Sequence, residues 1–135
     1  MNPNIYTGLA ADRRKAYLRE ARYYGFGNLS LEETVFKAIT LVTNVTKDEM
    51  KSKCRLRYIV TARRMFFVFM IKYSRTLSGD TIPIIPLSNM INRNHATCLH
   101  HLKLHNDLLE YEQSEVQIRD EVDQVINKLR INQPQ

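Results

Sequence analysis

Cys98, His101 and His105 are spaced i, i+3 and i+7. A helix through them presents a thiol and two imidazoles on one face, a donor set that suits zinc. His95 with Thr97, and Ser88 with a nearby acid, supply the residue types of a nucleophile and its base. Neither arrangement is completed. No Gly-rich oxyanion turn is present and no carboxylates cluster beside a histidine. A packed helix face is the simpler account of Cys98 and His101. Cys54 and Cys98 are far apart and fit no metal-ligand or redox spacing, so both are expected as reduced thiols. The expectation is a protein without catalysis, metal or cofactor.

The more extensive chemistry is cationic. The 135 residues carry a formal net charge of +6. Residues 47–75 hold nine Lys or Arg (Lys47, Lys51, Lys53, Arg55, Arg57, Arg63, Arg64, Lys72, Arg75) against Asp48 and Glu49. Residues 106–131 hold seven acids (Asp107, Glu110, Glu112, Glu115, Asp120, Glu121, Asp123) against Arg119, Lys128 and Arg130. The middle attracts phosphate and the tail is repelled by it, so the distribution points to one polyanion-facing region.

Helices must position these charges. Residues 10–23 read as a helix, with Ala10, Tyr17, Ala21 and Tyr24 on one face and Arg13, Arg14, Lys15, Arg19 and Arg22 on the other. The nine residues before it read as an arm. Ser30 and Glu33 form a capping-box pattern opening a helix that ends near Asn44, and Thr46 with Glu49 repeats the pattern for a short helix over 47–52. Residues 51–57, KSKCRLR, read as an exposed basic loop. A long helix follows, about Tyr58 to Tyr73. Its run MFFVFMI is apolar nearly all round, the mark of a central buried helix. Residues 76–86, with Gly79, Pro83 and Pro86, read as a loop. A short helix over Leu87–Ile91, a turn at Asn92-Arg93-Asn94 and a helix from His95 make a helix-turn-helix pattern, with Asn94 as N-cap. The tail reads as one helix over 106–130. Leu104, Leu108, Tyr111, Glu115, Ile118, Val122, Val125 and Leu129 give it a heptad seam with one acid in it. That seam suits either a homodimer or protein partner, or packing back on the domain.

Two ordered stretches resemble the C-terminal DNA-binding domain of the bacterial replication initiator DnaA. ETVFKAITLVTNVTKDEMKSKCRLRYIVTARRMFFVFMIKYS is similar to that domain's first half, with its basic S-K-x-R-x-R segment and a long helix entered through x-A-R-x-M. LSNMINRNHATCLHHLK is similar to its R-D-H-[ST]-T-V-L-H-A signature. The resemblance spans about residues 32–105. It implies an all-α, Trp-repressor-like helix-turn-helix bundle that binds double-stranded DNA, in replication initiation or its control. A repressor-type transcriptional regulator is the alternative. The resemblance further implies that Arg55 enters the minor groove with Lys53 and Arg57 beside it. Arg63 and Arg64 then open the long helix against the duplex, and Arg93, Asn94, His95, Ala96 and Thr97 lead the recognition helix into the major groove. Asn94 stands where the family has Asp, Ala96 where it has a hydroxyl residue, and Arg64 where its best-known members have Gln. Asn suits adenine, and Ala suits only a thymine methyl. The loop 78–85 is longer than the family's turn.

The organisation expected is a basic arm and helix (1–29), a DNA-binding domain (30–105) and an acidic C-terminal helix (106–135). With four glycines and no G-x-x-x-x-G-K-[ST], no phosphate-cradling loop is available and no ATPase activity is expected. No apolar leader opens the sequence and no run approaches a membrane span, so no membrane partner is expected and the place of action is the cytoplasm or nucleoid.

Overall fold

A computed structural model describes residues 30–131 apart from Asp80. The expected arm and helix before Ser30 lie outside the described residues. Six helices, and no strands, are found among those described. α1 (Leu31–Thr43) starts at Ser30, whose Oγ accepts the Glu33 amide at 3.2 Å. It ends at Asn44, held at φ 64°, a left-handed conformation that Asn tolerates. α2 (Lys47–Lys51) carries the full capping box, with Thr46 and Glu49 each bonding the other's backbone.

α3 runs over Arg57–Ser78, longer than its apolar run implied, and Gly79 closes it at φ 82°. Phe66, Phe67, Phe69 and Met65 are fully buried, and Phe66 stacks on Phe36 of α1 at 4.3 Å between centroids. Each such aromatic removed from water stabilises the fold by about 1.5–3 kcal/mol. α4 (Ile84–Asn89) begins before the expected Leu87. Pro83 is its N-cap and Pro86 falls in its first turn, where a missing N–H breaks no helical bond. The expected loop therefore shrinks to the few residues between Ser78 and Ile84.

α5 spans His95–Leu109 and α6 spans Gln113–Ile131. The single tail helix expected over 106–130 is thus two helices, broken at Glu110–Glu112. Tyr111, placed in the heptad seam by its spacing, is 69% exposed at this break. Beyond it the seam is real. Ile118, Val122, Val125 and Leu129 are buried, and α6 packs on α1 of the same chain. α3 lies at the centre, packed against α1, α2, α4 and α5. No helix among the described residues is long and apolar enough to cross a membrane.

Candidate nucleic-acid interface

The loop between α2 and α3 is held by arginine side chains rather than by apolar packing. A helix end leaves its last carbonyls without intrahelical partners. Here Arg63, from the second turn of α3, reaches back to them. Its Nε donates to the Met50 carbonyl at 2.8 Å, and its Nη2 donates to those of Ser52 at 2.6 Å and Glu49 at 3.3 Å. Arg93 donates from its Nη2 to the same Ser52 carbonyl. Its Nη1 closes on the Asn92 carbonyl at 3.0 Å, and the Asn92 amide reaches the Lys51 carbonyl at 3.4 Å. The basic loop and the turn before α5 are therefore one fastened unit. Burial, with Arg93 next to it, pulls the Arg63 guanidinium below the usual arginine range.

Two of the expected site residues, Arg63 and Arg64, are buried. Arg63 is 3% exposed, and its Nε and Nη2 are bonded to main-chain carbonyls at the floor of the groove it helps to line. Arg64 is also buried. Its Nε and Nη2 grip the two oxygens of Glu115 at 2.8 Å each, and His105 Nδ1 lies 2.7 Å from the same carboxylate. Burial alone would raise the Glu115 carboxyl, but hydrogen bonds from Arg64 and His105 more than offset it and hold it below the ordinary range. The one acid of the heptad seam is thus the counter-charge of a buried arginine.

The remaining site residues are accessible. Lys53, Arg55 and Arg57 are exposed, as are Asn94, His95 and Ala96, while Arg93 and Thr97 are half-buried. Asn94 caps α5 by accepting the Thr97 amide at 2.8 Å. The oxygen that a two-pronged adenine contact would use is therefore shared with the helix. Lys53, Arg55, Arg93, Thr97 and His100 line one groove of about 620 Å³ between loop and helix. Arg55 and Arg57 border a second, of about 480 Å³, whose walls include Val60, Leu104, Leu108 and Ile118. His101 lies under the first groove, buried, with Nδ1 lacking a partner among the described residues and its ring 5.7 Å from Phe67. Burial, then the positive charge of Arg64, lowers its pKa to about 4, so it is neutral near pH 7.

Three of the residues with ligand or nucleophile chemistry have partners within the fold. His105 faces Glu115, and Cys98 is fully buried, its thiol pushed up by burial despite a hydrogen bond to Ser88. Ser88 donates to the Ile84 carbonyl at 2.7 Å. Both cysteines are free thiols. Among the described residues no three His, Cys, Asp or Glu side chains are grouped to hold a metal ion.

Sequence periodicity missed the strut role of Arg93 and the inward turn of Arg63 and Arg64. A signal existed for the latter pair. Arg63 stands four residues after Ile59 and three before Phe66, and both of those are buried. Compared with known proteins, the chain matches no family model, no curated protein and no solved structure.

Proposed function

We propose that this chain binds double-stranded DNA, with α4, its turn and α5 as a helix-turn-helix. The first turn of α5 enters the major groove, and Lys53, Arg55 and Arg57 meet the adjoining minor groove and its phosphates. The observation that carries this reading is the fastening of the basic loop to the turn before α5. It sets Lys53 and Arg55 opposite Thr97 on the walls of one cationic groove. Phosphate contacts fix the register, and side chains at the helix start read base edges. Asn94, His95 and Ala96 are exposed at that start. The free N–H groups of a helix N-terminus there favour an anion.

The resemblance to the DnaA reading domain favours replication initiation or its control over a transcriptional regulator. The sequence carries no G-x-x-x-x-G-K-[ST], and the role proposed is binding without ATP hydrolysis. The adaptor reading, in which the tail helix recruits a protein, is the weaker one, because the apolar seam of α6 is already covered by α1.

With Arg63 and Arg64 turned inward, about four exposed or half-exposed cations remain for phosphate. Affinity for an A·T-rich duplex should then fall by about two powers of ten between about 50 and 200 mM salt. Fluorescence anisotropy measures this. Arg55→Ala should flatten the slope by about one. Binding indifferent to salt, or none at low salt, would sink the reading.

A further inference from the structure

Residues 55–57 break several local rules together. Leu56 is the N-cap of α3 and makes no side-chain cap bond. The same position in α1, α2 and α5 is held by Ser30, Thr46 and Asn94, each with a bonded side-chain oxygen, while Pro83 of α4, like Leu56, has none. Arg55 and Arg57 stand at the positive end of the α3 dipole, and no acid lies in its first turn. Leu56 is also 54% exposed. Departures of this kind gather where function opposes stability.

The segment is nonetheless held firmly. The Leu56 carbonyl accepts the amides of Ile59 and Val60, each at 3.0 Å. Just ahead of it, the Ser52 carbonyl is gripped by Arg63 and Arg93. Arg55 borders both grooves, and Leu56, the next residue, lines neither. Among the described residues, three other large apolar side chains are exposed, namely Ile85, Leu99 and Tyr111. None of them lies between two arginines, and Tyr111 lies between two acids that phosphates would repel.

We propose that Leu56 is a minor-groove wedge, entering between two base pairs while Arg55 and Arg57 hold the phosphates on either side; this rests on the duplex-binding reading above. The duplex is the partner that fits, because it offers apolar stacked faces between two anionic rails. Inserted apolar side chains partly unstack a base step and kink the helix axis. Pyrimidine–purine steps give way most easily, so a TA step is the expected point of entry.

The test uses the full chain and an alternating T-A duplex in which 2-aminopurine replaces one central adenine. Binding of the wild-type chain should raise the 2-aminopurine fluorescence several-fold as its base unstacks. Leu56→Ser and Leu56→Ala should abolish that rise and weaken binding about tenfold. Leu56→Ser supplies the missing cap hydroxyl, so its melting temperature should rise, which separates a lost wedge from a lost fold. Tight binding without a fluorescence rise, or an equal rise with Leu56→Ser, overturns the wedge and leaves the helix-turn-helix reading standing. No retention of the duplex at about 50 mM salt overturns both.

Discussion

Acidification should weaken the fold through His101. In the folded chain its imidazole has a pKa of about 4, against 6.5 for an ordinary histidine. Above 6.5 both folded and unfolded states leave it neutral, and the stability is fully present. As pH falls below 6.5 the unfolded chain takes up a proton that the folded chain refuses, so stability drops until about pH 4. The gap corresponds to about 3 kcal/mol when complete, and about 2 kcal/mol of it is lost by pH 5. That is a large fraction of the 5–15 kcal/mol roughly typical of a domain. Glu115 and Asp123 are both held below the carboxylate range, so their protonation acts at lower pH. Urea titrations followed by circular dichroism, repeated between about pH 7.5 and pH 5, measure the slope. His101→Leu should remove it and should not reduce stability at pH 7.5, because Nδ1 has no described partner to lose. His105→Gln should retain the slope. A wild-type chain equally stable at both ends of the range, or a slope that survives His101→Leu, would refute the reasoning.

Glu115→Gln should lower stability by about 3 kcal/mol in denaturant titrations, because Arg64 keeps its buried charge and loses its counter-charge. The double change Arg64→Met with Glu115→Leu should recover most of that loss in the same titrations. Arg93→Ala should free one side of the Ser52 carbonyl and speed amide exchange over residues 53–55 about tenfold, read by hydrogen-exchange mass spectrometry. Asn94→Ala should cost about 1 kcal/mol in a thermal melt by removing the α5 cap, and Asn94→Asp should keep it.

Helix ends marked by a capping Ser, Thr or Asn were legible because local chemistry dictates them. Ser30, Thr46 with Glu49, Asn44 and Asn94 each perform the terminal role their residue type favours. The break between α5 and α6 was not legible. No Gly or Pro marks Glu110–Glu112, and steps of three and four continue through it, so periodicity alone reads one helix. The candidate site was legible as a charge distribution but not as a set of directions. Arg63 and Arg64 count as cations in the sequence, whereas on α3 their positions share the buried faces of Ile59, Phe66 and Phe67. Glu115 in an apolar seam was the visible sign that a buried cation had to meet it. Arg93 gave no such sign, since its acceptor is a main-chain carbonyl 41 residues away.

The Ser52 carbonyl is held by Arg63 from one side and Arg93 from the other. Because this clasp grips main chain, the identities of Lys53, Arg55 and Leu56 do not enter it. The span between the loop and α5 is thereby uncoupled from the side chains the loop carries. The loop behaves as an interchangeable bit in a fixed chuck. Substitutions at 53, 55 and 56 would change the chemistry of the loop without altering its spacing from α5. A transplant of α5 alone, without Asn92 and Arg93, would carry its side chains and lose that spacing.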